Sequence, residues 1–176
     1  MITEKEFLET ELSMGISFDN PMFKSLAFNT AQQVLGLGTT LMDYGAGTGV
    51  YADAFHQAGF DVVIWEKFDA HKQYIRDKQP NLKIIDKPIT TDIMAFIEVA
   101  EHMTDKELDA LFKKIKPNYI LFSSTSSRTD NDEAWGHINV KDQSDWDIFF
   151  ASKGYHIYKQ LTTPTEWAKI YGKSNG

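Results

Sequence analysis

The chain contains no cysteine and no long apolar segment. Without cysteine, disulfides and thiolate metal sites are excluded, and a reducing cytoplasm is the natural compartment. No apolar run approaches the roughly 20 residues that a bilayer-spanning helix needs. The opening segment, Met1 to Leu12, is charged and amphipathic and does not resemble a signal peptide. We therefore expect a cytoplasmic protein that has no contact with a membrane.

Positive charge is also limited: the chain has 18 Lys and Arg residues and 25 Asp and Glu residues, which give a formal net charge of −7. Broad electrostatic capture of nucleic acid relies on basic surface, so we expect no nucleic-acid partner of that kind. The contents of hydrophobic residues (42%) and charged residues (24%) are ordinary for a globular protein. At 176 residues, the chain is long enough for one domain with a sizeable core.

Glycine is concentrated in one informative stretch, residues 39–49, which reads TTLMDYGAGTG. An apolar strand closes at Asp43, and Gly45, Gly47 and Gly49 follow at alternate positions, where the backbone can turn sharply and approach a ligand. Helical spacing of apolar residues resumes from Val50 to Ala58. A strand, a glycine turn and a helix in this order predict a nucleotide-type site at the carboxyl end of a parallel strand. The acid two positions before the first glycine suits a cation better than a pyrophosphate.

The remaining pattern alternates strands with helices and ends in a hairpin. Further strands are predicted at Asp61–Trp65, Leu82–Ile85, Ile93–Val99, Tyr119–Phe122, Tyr155–Leu161 and Glu166–Tyr171. Helices are predicted at Thr3–Leu12, Met22–Leu37, Asp69–Lys78 and Asp142–Ser152, and another follows the capping box Thr104–Glu107. Thr3, with Glu6 three positions on, is expected to cap the first of these helices, and Asp69 is expected to cap the third. The expected fold is α/β, a mostly parallel seven-stranded sheet with a C-terminal antiparallel hairpin and helices on both faces.

Two segments, DYGAGTG at 43–49 and FIEVAEH at 96–102, resemble the class I S-adenosylmethionine (SAM)-dependent methyltransferases. The resemblance implies a Rossmann-like methyltransferase fold, SAM as the cofactor, and a single domain over residues 1–176. Residues 39–176 would form the cofactor-binding core, and residues 1–38 a helical leader that could cover the acceptor. Phe18 and Phe23 in this leader either pack on the sheet or belong to such a lid.

The same resemblance assigns cofactor contacts along the chain. Glu66, 19 residues after Gly47 at the tip of the second strand, would hold the ribose hydroxyls, unless it is a solvated strand-end acid. Asp86 and Ile89 would lie beside the adenine, unless their segment is a plain turn. The full set of expected cofactor-binding residues is Asp43, Gly45, Ala46, Gly47, Gly49, Glu66, Asp86, Ile89 and Glu98.

Methyl transfer requires few catalytic groups from the protein, because the sulfonium of SAM already activates the methyl group. The main task of the protein is to position the acceptor. A hydroxyl acceptor also needs a base, for which His102 and His137 are the candidates. We expect O-methylation of a small-molecule or glycan acceptor. Two other classes stay open: a non-catalytic SAM-binding module, and a nicotinamide or other nucleotide enzyme, which Asp43 and the terminal hairpin disfavour.

A metal-assisted variant is a further alternative. Glu98, Glu101 and His102 follow E-x-x-E-H, and His137 comes 35 residues after His102. This set resembles the metal site of the magnesium-dependent small-RNA 3′-end methyltransferases, and the resemblance implies a divalent metal held by these four residues. Carboxylates suit Mg²⁺, whereas imidazoles favour Zn²⁺ or Mn²⁺. Without a metal, Glu98 simply ends its strand and His102 precedes a helix cap. The acidic composition argues against an RNA substrate.

Overall fold

The computed structural model describes residues 2–129, 134–165 and 167–174. The helices are α1 (Glu4–Ser13), α2 (Pro21–Gln32), α3 (Val50–Gln57), α4 (Asp69–Lys78), α5 (Asp105–Lys114) and α6 (Gln143–Ser152). The strands are β1 (Thr40–Tyr44), β2 (Asp61–Trp65), β3 (Lys83–Ile84), β4 (Ile93–Ile97), β5 (Tyr119–Ser123), β6 (Tyr155–Leu161) and β7 (Ala168–Lys173). A 3₁₀ turn occupies Ala100–His102. In the described residues, no helix is long and apolar enough to cross a bilayer.

The strands form one sheet in the order β3-β2-β1-β4-β5-β7-β6. Strands β1 to β5 pair in parallel, while β7 runs antiparallel to both β5 and β6. The predicted mixed sheet with its terminal hairpin is therefore confirmed. The strand order reverses between β1 and β4, which makes the carboxyl ends of these strands the crevice where ligands bind in open α/β sheets.

Apolar cores lie on both faces of the sheet, as predicted. Neighbouring residues of β1 divide between them, with Leu41 in the core under α2, α3 and α4 and Met42 in the core under α5 and α6. Alternate side chains of a strand point to opposite faces, so a strand covered on both sides is continuously apolar. This burial on both faces fixes the sheet as the rigid base from which the edge loops project.

Several predicted boundaries change for local reasons. Helix α2 ends at Gln32 instead of Leu37, because the chain passes into successive i→i+3 turns that end at Leu37. Strand β4 ends at Ile97 instead of Val99, because Glu98 adopts a left-handed φ of 54°. Glu166, the predicted start of the last strand, lies outside the described residues, and β7 begins at Ala168.

The cap of α4 was wrongly assigned from the sequence. Asp69 is the first helical residue, and Phe68 occupies the cap position without a side-chain hydrogen bond. The Asp69 amide instead donates to Glu4 Oε2 of α1 at 2.9 Å. The capping boxes Thr3–Glu6 and Thr104–Glu107 are both present as predicted. The sequence predicted the helix caps whose hydrogen-bond partners lie within a few residues. At α4 the partner of the first helical amide is Glu4 of α1, which is distant in the sequence.

Candidate active site

The glycine turn, residues 43–49, links β1 to α3 with φ values of 72°, 54° and 82° at its three glycines. The Gly45 amide donates to the Trp65 carbonyl at 2.7 Å, which ties the turn to the end of β2. The Gly49 amide donates to Ala46 O at 2.9 Å and leads into α3. These left-handed conformations are the reason glycine is needed here. The turn is a fixed backbone cradle at the carboxyl edge of the sheet.

The three glycines have different surroundings. A Cβ on Gly45 would stand 2.7 Å from Val99 Cγ2, and one on Gly49 would stand 2.8 Å from Ile75 Cγ1, so both positions serve close packing within the protein. A Cβ on Gly47 would instead stand 3.2 Å from Glu11 Oε1 of α1. Gly47 is therefore the glycine whose bare face points to the polar side of the turn.

Asp43 is the buried acid of this turn, with only 3% of its surface exposed. Burial, followed by the nearby charge of Glu66, raises the pKa of Asp43 to about 7, and the backbone amide of Ala52 partly offsets the rise. Its Oδ2 is buried without a hydrogen-bond partner. A buried acid with an unused oxygen destabilises the ligand-free site. It therefore fits a cationic ligand such as the methionyl end of SAM.

Glu66 lies at the tip of β2, as predicted, and is buried. Its Oε2 accepts from the Gly47 amide at 2.9 Å, and its Oε1 accepts from the Phe68 amide at 2.9 Å. Burial raises the pKa of Glu66, against the lowering effect of these two amides. Glu66 is thus no solvated strand-end acid. It braces the glycine turn, and its contact with the ribose stays a prediction.

Asp86 and Ile89 are separated by the structure. Asp86 follows β3 at the carboxyl edge and is exposed. Thr90 Oγ1 accepts a hydrogen bond from the Lys116 amide at 3.1 Å. Lys116 precedes β5, so Thr90 lies at the amino edge of the sheet. Ile89 is 45% exposed and immediately precedes this point. Asp86 is placed at the edge where the cofactor is expected, whereas Ile89 is carried away from it.

A second group of polar side chains, here called the edge cluster, follows β4 and consists of Glu98, Glu101, His102 and His137. The ligand atoms of Glu101, His102 and His137 all lie within 4.8 Å of one another. The imidazole rings of His102 and His137 meet edge to face, with centroids 4.7 Å apart. Glu98 interacts directly with Glu101 and is influenced by the charge of His137. Glu101, His102 and His137 therefore come together as possible ligands of one ion, and Glu98, the fourth predicted ligand, lies beside Glu101 outside that set.

The edge cluster is held by neighbouring polar groups. Glu101 is 1% exposed, and its Oε2 accepts from Ser124 Oγ at 2.9 Å. His102 Nδ1 lies 3.2 Å from the Gly136 carbonyl oxygen. A carbonyl can only accept, so Nδ1 carries the proton and Nε2 presents a lone pair.

Burial sets the charge state of the edge cluster. It raises the pKa of Glu98, and it raises the pKa of Glu101 well above the usual value with further help from the Glu98 charge. It also lowers the pKa of His102 to about 4, reinforced by His137 and opposed by the Gly136 carbonyl. At neutral pH the His102 imidazole is uncharged, so its Nε2 can accept a proton or bind a metal.

Helix α1, part of the leader expected as a possible lid, lies over both groups, but the residues through which it does so were not predicted from the sequence. Phe7 packs against Phe68 and Trp135, with centroids 5.8 and 5.1 Å away, and also contacts His71 and His102. Phe7 and Glu11 are four residues apart and so share a face of α1, which is the one signal the sequence carried. Phe18 stacks on Tyr74, Phe23 packs edge to face on Tyr51, and both border the core under α2, α3 and α4.

Residues 18–173 match a family profile described as a methyltransferase domain. Because the match covers most of the chain, the protein belongs to this family and is a SAM-dependent methyltransferase of class I. No curated protein sequence matches the chain closely enough to extend this comparison.

Solved structures agree on the fold. DesVI of Streptomyces venezuelae superimposes with a TM-score of 0.71 at 13% identity, covering 99% of this chain and all of that one (100%). The pyocyanin biosynthetic protein PhzM gives 0.63 at 12% identity, with 86% of this chain covering 56% of that longer protein. SAM-bound CalS10 of Micromonospora echinaspora, an amino pentose methyltransferase, gives 0.61 at 12% identity, covering 86% of this chain and 90% of that one. At such identities the likeness concerns the fold alone.

Proposed function

We propose that the protein transfers a methyl group to a hydroxyl of a small-molecule or glycan acceptor. The observation that carries this proposal is the orientation of His102. Its Nδ1 donates to the Gly136 carbonyl, and its Nε2 therefore presents a lone pair at the carboxyl edge of the sheet. A neutral, oriented imidazole beside a cofactor cradle is what a hydroxyl acceptor requires as a base.

When bound, SAM supplies a methyl group already activated by its sulfonium. In the proposed reaction, His102 or His137 takes the proton that the acceptor hydroxyl loses. The methyl group would come from the sulfonium of bound SAM, and the electron pair of the broken carbon–sulfur bond would stay on sulfur. The glycine turn, Asp43 and Glu66 position the cofactor, with Asp86 and Glu98 as further contacts at the same edge.

The leader, residues 1–38, is proposed as the acceptor lid of a single domain whose cofactor core spans residues 39–176. Phe7 supports this assignment, because it packs at the same time on His102 of the edge cluster and on Trp135 of the loop that carries His137. An aromatic cover excludes water and provides apolar surface for a ring-shaped acceptor. The acceptor would therefore enter between α1 and this loop.

The experiment is an acceptor screen with purified protein and SAM, read by mass spectrometry as the gain of one methyl group. Because CalS10 is an amino pentose methyltransferase, nucleotide-linked amino sugars and pentoses belong in the screen beside phenols. Once an acceptor is found, His102→Ala and His137→Ala should lower kcat about 10²- to 10⁴-fold for whichever histidine is the base. His56→Ala, at the exposed far end of α3, is the control. If neither change lowers kcat, the base assignment is wrong.

Metal-assisted transfer is the second candidate, and one observation favours it. Metal-binding histidines usually donate their other ring N–H to a carbonyl or carboxylate, and His102 does so to Gly136. Glu101 and His137 lie close enough to share one ion with it. In this second candidate, the ion would coordinate the acceptor oxygen. The net charge of −7 disfavours an RNA end as that acceptor.

Chelation separates the two candidates. If a metal takes part, exhaustive dialysis against chelator should abolish turnover, and Mg²⁺ or Mn²⁺ should restore it in the parent but not in Glu101→Ala. Full activity in chelator, with Glu101→Ala still active, would eliminate the metal and leave the histidine as the base.

A further inference from the structure

The carboxylate of Glu11, on α1, lies directly over the glycine turn. Its Oε1 is 3.2 Å from the position that a Cβ on Gly47 would occupy. Its Oε2 is 2.7 Å from His71 Nε2 of α4. A carboxylate only accepts hydrogen bonds, so the imidazole donates and fixes one oxygen. The other oxygen is left facing the bare side of Gly47.

This arrangement is sheltered and anchored at several points. His71 is 1% exposed and the Glu11 side chain 17%, so water screens the pair weakly. Two other residues of α1 hold the helix at the same place: Glu4 accepts from the Asp69 amide at 2.9 Å, and Phe7 packs on Phe68. The position of Glu11 is therefore set by the fold and does not depend on a flexible surface side chain.

The local charge calls for a cation. Asp43 and Glu66 already border the turn, and Asp43 Oδ2 is buried without a partner. A third carboxylate placed there would raise the electrostatic cost of the ligand-free site. SAM carries an ammonium and a sulfonium against one carboxylate, so its methionyl end can offset that cost.

We propose that Glu11 is a cofactor-contacting residue supplied by the leader: its free oxygen accepts a hydrogen bond from the ammonium group of SAM, while His71 holds the carboxylate in position. In this arrangement the leader contacts the cofactor through Glu11 and covers the acceptor side of the site through Phe7. The inference depends on SAM being the cofactor and is independent of the identity of the acceptor.

The test is calorimetric binding of SAM, S-adenosylhomocysteine and 5′-methylthioadenosine, which lacks the amino-acid part. Glu11→Gln keeps the size of the side chain and removes its charge. It should weaken SAM and S-adenosylhomocysteine about tenfold and leave 5′-methylthioadenosine unchanged, because a charge-assisted hydrogen bond is lost only where an ammonium is present. Glu9→Gln, an exposed acid on the same helix, should change none of the three affinities.

Three results would overturn the proposal. Unchanged SAM affinity in a folded Glu11→Gln variant would remove Glu11 from the site. An equal loss for all three ligands would mean that Glu11 only shapes the turn. Tighter binding of all three would mean that the carboxylate obstructs the cofactor. Should Glu11→Gln fail to fold, Glu11→Asp keeps the charge but withdraws it by one methylene, and the same pattern across the three ligands is expected.

Discussion

The glycine turn and the edge cluster lie at the same edge of the sheet but are built in different ways. The turn is made of consecutive main-chain atoms, tied down by Glu66 through the Gly47 amide. The edge cluster is made of side chains, with Glu98, Glu101 and His102 after β4 and His137 from a later loop. The turn needs local backbone conformations, whereas the cluster needs two distant segments to meet.

This difference separates what is common to the family from what belongs to this chain. A backbone cradle binds the same cofactor in many proteins, because its shape depends mainly on the glycines. A side-chain cluster can change its chemistry with one substitution, and function resides in such sites more than in the fold. The three predictions below therefore test the turn, whose binding can be measured without knowing the acceptor.

The strongest prediction concerns the backbone of the turn. Gly47→Val should abolish SAM binding by calorimetry, because a branched side chain would fill the space over the turn. The φ of 54° and the 3.2 Å approach to Glu11 Oε1 add strain at this position. Gly36→Val is the matched control, since Gly36 has a φ of 82° but open space around its Cβ position. Both variants should lose stability, and only Gly47→Val should lose the cofactor; intact binding in folded Gly47→Val would contradict the assignment.

Asp43 should make the stability of the ligand-free protein depend on pH. Its pKa is about 7 in the folded protein, against 3.8 for an aspartate in water, so folding favours the protonated carboxyl. The stability that this protonated form gives is fully present below about pH 4 and is lost as the pH rises through 7. Asp43→Asn should therefore raise the free energy of unfolding of the ligand-free protein at pH 8 by up to about 4 kcal/mol, with little effect at pH 4.

Urea unfolding of Asp43→Asn at both pH values measures this effect, with Asp61→Asn, an exposed acid at the start of β2, as control. SAM binding at pH 8 should weaken in the same Asp43→Asn variant, because the buried charge that favours a cation is gone. A variant that is less stable than the parent at pH 8 would show that Asp43 is satisfied without a ligand.

Features of the site that depend on neighbouring residues could be predicted from the sequence, and those that depend on distant contacts could not. The glycine turn and the tip of β2 were predictable, because strand, turn and helix signals lie within one short stretch. The cap of α4 was not, since Glu4 supplies its partner from 65 residues away. Neither was the position of Phe7 or Glu11, because an amphipathic helix reveals which face is buried and not what it is buried against. The edge cluster was found by resemblance to a motif, and its hydrogen bonds needed the fold.

The smallest of these effects concerns Glu66 and asks whether it contacts the ribose or only braces the turn. Glu66→Ala should weaken SAM by roughly 1.5–3 kcal/mol, since a charge-assisted acceptor is lost. Asp61→Ala, at the start of β2, is the control.

Loss of affinity in Glu66→Ala is ambiguous by itself, because the Gly47 and Phe68 amides also lose their acceptor. Comparing S-adenosylhomocysteine with its 2′-deoxy analogue resolves this, as in a double-mutant cycle. If Glu66 holds the ribose, the parent prefers the hydroxylated ligand and Glu66→Ala does not. A preference that survives in Glu66→Ala would assign Glu66 to the turn alone.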